Sequence, residues 1–147
     1  MSRMLSKLKT QFFPVINTPS YRLLRIVVAL AYTALLTLVL IQSSARPVVG
    51  PVAPRDFNLA WEIFLTCGHL IGFSLLVLFV WSALETVMPN NRALIAAVIF
   101  ACSLGLITEF LQTLVPDRSA SFFDLACDWS MAFIVAYLIH RQTRNIP

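Results

Sequence analysis

An all-α integral membrane bundle of four transmembrane helices, with both termini cytoplasmic, is the fold class this sequence predicts, and three observations predict it. Hydrophobic residues make up 59% of the 147 positions and charged residues only 12%, against about 25% charged in soluble globular domains. Four apolar runs, each close to the roughly 20 residues a helix needs to cross the hydrocarbon layer, are separated by segments rich in Pro, Asn or charge. Lys and Arg are shared unequally between the alternate flanks of those runs.

The first run is Leu23 to Ile41, entered through Arg22 and Arg25, whose stems can snorkel back to the headgroups. Before it lies a basic tail, residues 1–22, with Arg3, Lys7 and Lys9 beside Phe12 and Phe13. That mixture suits a segment resting on an anionic leaflet. Ser43 and Ala45 resemble a signal-peptidase site, but the apolar region before them is too long for a cleaved signal and reads as an uncleaved anchor. Pro47, Gly50, Pro51 and Pro54 then forbid a continuous helix.

The second run extends from about Trp61 to Leu84 and carries His69 two turns inside its start; Pro89-Asn90-Asn91 is the expected turn after it. The third, Ala93 to Val115, is stopped by Pro116. The fourth runs from about Phe122 to Ile139, so residues 23–139 form the membrane domain and 140–147 a short basic cytoplasmic tail. Arg3, Lys7, Lys9, Arg22, Arg25, Arg92, Arg141 and Arg144 fall on the side of the termini, against Arg46, Arg55 and Arg118 on the other. This bias places both termini in the cytoplasm and the turn at 116–121 outside.

Composition also excludes function classes. Four spans leave no room for a separate soluble enzyme domain. The net charge of +4 comes from helix flanks and tails, with no groove-reading motif, so no nucleic-acid partner is expected. Cys67, Cys102 and Cys127 all fall in apolar runs without a paired motif and read as small buried hydrophobes. Trp61, Trp81 and Trp129 sit near run ends, as an interfacial aromatic belt requires.

The informative stretch is Glu109 to Asp128, a polar knot between two apolar runs that holds four of the seven acidic residues: Glu109, Asp117, Asp124 and Asp128. An ionised carboxylate at a membrane helix centre costs roughly 2.5 to 3.5 kcal/mol on insertion scales, so such residues pair, protonate or line a site. The topology puts His69, Glu109, Gln112, Asp124 and Asp128 in the outer half of the membrane at comparable depth, with Arg118 above them. Glu109 and Gln112 are three apart and Asp124 and Asp128 four apart, so each pair shares one helix face. We expect a shallow polar pocket opening outward.

Duller roles stand beside that expectation. Ser121-Phe-Phe-Asp124 ahead of an apolar run is a capping-box pattern, so Asp124 can serve the amide groups of a helix start. Gln112 can be an interhelical strut, Arg118 a solvated loop cation, and Glu109 and Asp128 a structural pairing. His69 can be a satisfied interior histidine. Asp128, Asp124, His69 and Cys127 are metal-ligand types without a diagnostic spacing, so no metal site is expected, and no motif calls for a cofactor.

Glu109, Gln112, Pro116, Arg118, Ser121 and Asp124, set across a helix, a turn and a helix, resemble the motif of the VanZ-like membrane proteins. That family shows a Glu three residues before a Gln, a Pro-Gly-Arg turn with small polar residues, and an Asp followed four residues later by an Asn. The resemblance covers roughly residues 69–137, with His69 matching a histidine common near the start of a family helix. Asp117 stands where the family has its turn glycine, Asp128 where Asn is usual, Met131 at a position often glycine, and Leu65 and Thr66 where an acidic residue and a lysine often precede the histidine.

The resemblance implies a small polytopic protein of the bacterial plasma membrane, whose named member is associated with low-level teicoplanin resistance. On this reading Gln112, Arg118, Ser121 and Asp124 are substrate-binding candidates, Arg118 for a phosphate, in a pocket for a lipid or lipid-linked precursor. Membrane lipids are then the expected partners. An alternative is an accessory subunit of a larger membrane complex. A second is an intramembrane enzyme acting on a lipid-linked substrate, with Glu109 or Asp128 as general base and His69 as acid or base.

Overall fold

The computed structural model describes residues 19–41, 59–115 and 120–144, the side chains of residues 59–62 and 65 excepted. The tail up to residue 18, the proline-rich loop, the turn containing Pro116, Asp117 and Arg118, the side chain of Trp61 and residues 145–147 lie outside them. The described residues form four α-helices: α1 Pro19–Ile41, α2 Leu59–Leu84, α3 Asn90–Gln112 and α4 Phe122–Arg144. Each contains a stretch long and apolar enough to cross a membrane, and no strand occurs among the described residues. This is a four-helix, multi-pass membrane architecture.

The boundaries shift from those expected, each for a local reason. Helix α1 begins at Pro19 rather than Leu23, since proline is preorganised for the first helical position and gives up an amide that has no partner there. The turn between α2 and α3 is Glu85–Pro89, not Pro89-Asn90-Asn91. Pro89 is the N-cap of α3, its carbonyl taking the Ala93 amide, and Asn90 and Asn91 are already helical. The Asn90 carboxamide instead accepts a 2.7 Å hydrogen bond from the Trp81 indole, tying the turn shut. Helix α3 ends at Gln112, and Thr113, Leu114 and Val115 continue with tighter bonds to the third residue back. A residue preceding proline is pushed out of the α region, so the helix unwinds before Pro116 rather than at it. Helix α4 continues to Arg144, taking His140, Arg141 and Arg144 of the expected tail into its last turns.

Helices α2, α3 and α4 pack against one another, while α1 lies against α2 and, less extensively, α3. The short α2–α3 connection makes those neighbours antiparallel, and successive helices alternate in direction. Lipid tails are as apolar as leucine, so what holds such helices together is close packing and interhelical hydrogen bonding rather than escape from water. Close packing comes from buried positions four apart. In α3 they are Ala93, Ala97, Ala101 and Gly105; they meet Phe73, Leu76 and Val77 of α2 and Ala132, Val135 and Ile139 of α4. Between α1 and α2 the close approach is at Gly72, whose carbonyl accepts a 3.0 Å bond from the Tyr32 hydroxyl. A β-carbon there would sit 2.9 Å from Leu36 Cδ1.

Outward faces carry exposed Leu24, Leu30, Leu38, Ile71, Ile99 and Phe133, the all-round hydrophobicity of helices in lipid. Cys67 belongs to this exposed surface, and Cys102 and Cys127 are only partly covered, so the three are not the buried hydrophobes expected. Cys67 projects outward on α2 despite its apolar neighbourhood, because in a membrane helix an apolar run has no dry side by necessity.

Candidate functional site

The buried stripes end in polar residues. Four residues past Gly105 on α3 comes Glu109, four before Ala132 on α4 comes Asp128, and four before Phe73 on α2 comes His69. The same spacing that packs the core therefore carries these side chains inward at one end of the bundle. Their exposures are low: Asp128 0%, Gln112 2%, Glu109 4% and His69 8%. In a protein with so few charges this is a deliberate concentration.

His69 Nδ1 lies 3.0 Å from Asp128 Oδ1, joining α2 to α4. One proton sits on this axis, whichever partner holds it. The His69 ring lies parallel to that of Phe73, with centroids 6.5 Å apart, above the dry core. Asp128 Oδ2 turns toward Gly105, where an added β-carbon would come within 3.5 Å of it. Gly105 was not anticipated as part of the site; its place on the small-residue stripe directly before Glu109 is the signal that could have marked it.

Glu109 and Gln112 each finish another helix. The Ser121 amide donates to Glu109 Oε2 at 2.6 Å, and the Asp124 amide donates to Ser121 Oγ at 3.2 Å. Half of the expected capping box is thus present. In the reciprocal half, an acidic side chain would reach back to the N-cap amide, and that part is taken by Glu109 from α3 rather than by Asp124. The Gln112 carboxamide donates at 3.1 Å to the carbonyl of Leu40, one of the last four in α1, which have no partner within their helix. Two residues three apart on α3 therefore cap the end of α1 and the start of α4.

Two carboxylate oxygens are left over. Glu109 Oε1 and Asp128 Oδ2 are buried and have no hydrogen-bond partner among the described residues. The half-buried Asp124 lies one turn before Asp128 on α4. Among the described residues no Lys or Arg forms an ion pair with this cluster; the one such pair is Arg25 with Glu85, at the opposite end. Buried polar groups seldom stay unpaired in native proteins, and those that do point to a ligand, a proton or an ion. No group of three or more potential metal ligands converges among the described residues. What the cluster offers chemically is acceptor capacity for O–H or N–H groups beside an imidazole oriented by a carboxylate.

His69, Glu109, Ser121, Asp124 and Asp128 of the sequence-derived set are thus brought together. Gln112 shares their end of the bundle but turns toward α1, and Arg118 lies outside the described residues. Arg25, read from sequence as snorkelling to headgroups, instead bonds Glu85 at 2.6 Å and the Ser82 carbonyl at 3.3 Å, pinning α1 to α2. No protein-family model, curated protein or solved structure matches this chain.

Proposed function

We propose that this protein is a VanZ-like component of the bacterial cell envelope, in the plasma membrane with both termini cytoplasmic. Its polar knot engages the headgroup of a lipid or lipid-linked precursor, which affects sensitivity to teicoplanin. The observation that carries this reading is the pair of buried, unpartnered oxygens on Glu109 and Asp128, converging from two helices beside His69. Such oxygens are satisfied by hydroxyl or ammonium donors, which sugar and amine headgroups present, while Arg118 supplies the cation for a phosphate. Two buried acceptors left open cost of the order of 1 to 3 kcal/mol each, so filling them favours a bound state.

Native mass spectrometry after gentle detergent extraction tests the reading. A lipid retained by the wild type and lost in Glu109→Gln or Arg118→Ala supports it. A protein partner at fixed stoichiometry, indifferent to both substitutions, would overturn it and make the knot a structural lock within a larger assembly.

A second reading is favoured by the His69–Asp128 bond. A carboxylate that accepts from Nδ1–H leaves Nε2 as the basic nitrogen, the arrangement of a general base. On this reading the knot also turns over its lipid-linked ligand. Release of product by purified protein, lost in His69→Gln with ligand retention intact, distinguishes turnover from binding alone.

A further inference from the structure

The outside of the bundle carries a cavity of its own, apart from the knot. A groove of about 870 Å³ runs along the seam between α3 and α4. Its walls are almost wholly apolar, with exposed Ile95, Ile99 and Phe133, and Trp129 and Ser103 stand at one end. Trp129 is held there by an indole bond of 3.1 Å to the Cys102 carbonyl. At the other end the lining turns polar, with Asn91 and His140.

The charge around the two ends differs sharply. Arg92 and Arg141 follow directly on Asn91 and His140, both are exposed, and exposed Arg144 is one turn further along α4. Glu85 is the one carboxylate side chain at this end among the described residues, and Arg25 already occupies it. The carboxylates of the knot are all at the far end. From Asn91 to Ser103 the seam is about 18 Å long at 1.5 Å per residue, the reach of most of an extended acyl chain.

We propose that this seam binds an anionic phospholipid, with one acyl chain along Ile95, Ile99 and Phe133 toward Trp129 and the phosphate at Arg92 and Arg141. The inference is independent of how the knot is read. Both ends of such a lipid are matched: an apolar slot of tail length, and a cationic rim without free counter-charge among the described residues. A zwitterionic lipid fills the slot equally but gains nothing net from the rim.

Quenching of Trp129 by brominated lipid tests this directly. A Trp61→Phe/Trp81→Phe protein, leaving Trp129 as the one indole, is reconstituted in vesicles containing tail-brominated phosphatidylglycerol or phosphatidylcholine at equal mole fraction. We expect phosphatidylglycerol to associate more strongly, with Arg92→Gln and Arg141→Gln each lowering the preference by about fivefold, the effect of one juxtamembrane cation. Ser103→Phe, an exposed position that blocks the tail end, lowers quenching by both lipids. Equal quenching by the two lipids in the parent protein, or a preference that survives the double arginine substitution, would overturn the proposal, since ordinary boundary lipid gives both results. Far-UV circular dichroism of each variant keeps loss of fold apart from loss of binding.

Discussion

Replacing Glu109 separates its role as an interhelical cap from its role as a charge. Glu109 Oε2 accepts from the Ser121 amide at 2.6 Å, and nothing else among the described residues takes that amide. A hydrogen bond to a charged partner contributes about 1.5 to 3 kcal/mol, and loss of a helix N-cap costs about 0.5 to 2 kcal/mol. Truncation to alanine also removes Oε1, which is buried without a partner, and relieves repulsion with Asp124 and Asp128; both offset part of the loss. The net expectation for Glu109→Ala is destabilisation by about 2 kcal/mol. Glu109→Gln keeps an acceptor in place and removes the charge, so it is expected within about 1 kcal/mol of wild type. Unfolding in mixed micelles with increasing dodecyl sulfate fraction, followed by far-UV circular dichroism, measures both. Equal destabilisation by Gln and Ala would refute the capping account, because the charge and not the acceptor would then be what the fold uses.

Three further outcomes follow from the same contacts. Asp128→Ala leaves His69 buried without its partner and is expected to lose about 3 kcal/mol or more, whereas Asp128→Asn, which keeps an acceptor at the same place, loses at most about 1 kcal/mol; a similar loss in both would mean that the 3.0 Å contact is not a hydrogen bond. Gly72→Ala sets its β-carbon 2.9 Å from the Leu36 Cδ1 methyl, a side-chain tip that can shift, and gains up to about 1 kcal/mol of helix propensity, so a net loss of at most about 2 kcal/mol is expected, part of which Leu36→Ala in the same chain should recover; strictly additive losses would show that α1 and α2 do not approach closely there. A double-mutant cycle on Arg25→Ala and Glu85→Ala should give a coupling of about 0.2 to 1 kcal/mol that shrinks with added salt, the size expected of a pair this exposed; zero coupling at low salt would return Arg25 to the headgroup region.

Much of the architecture was legible because hydrophobicity and length alone decide which segments cross a bilayer. All four spans and the grouping of His69, Glu109, Asp124 and Asp128 at one end followed from counting residues along helices that alternate in direction. The boundaries were less legible, because they depend on local hydrogen bonding: Pro89 takes the cap of α3 by its backbone carbonyl, and Val115 leaves the helix because a proline follows it. The ion pair of Arg25 with Glu85 was hidden for a different reason. A charged residue at a helix flank has water, headgroup or protein available to it, and sequence does not rank the three.

By itself, then, the sequence determined the class of molecule, the membrane-crossing elements and the end of the bundle at which its rare charges gather, since these depend on transfer free energies that each segment carries wherever it lies. Only the tertiary structure decided what those charges do. Gln112 meets the Leu40 carbonyl and Glu109 the Ser121 amide, and both partners are backbone groups that every residue possesses, so no residue type announces them. Whether Asp128 pairs with His69 of α2 or faces Glu109 of α3 depends on how these helices are rotated about their axes. That rotation is set by the alanine and glycine stripe of α3 packing between α2 and α4, a contact that exists only once all three helices are in place.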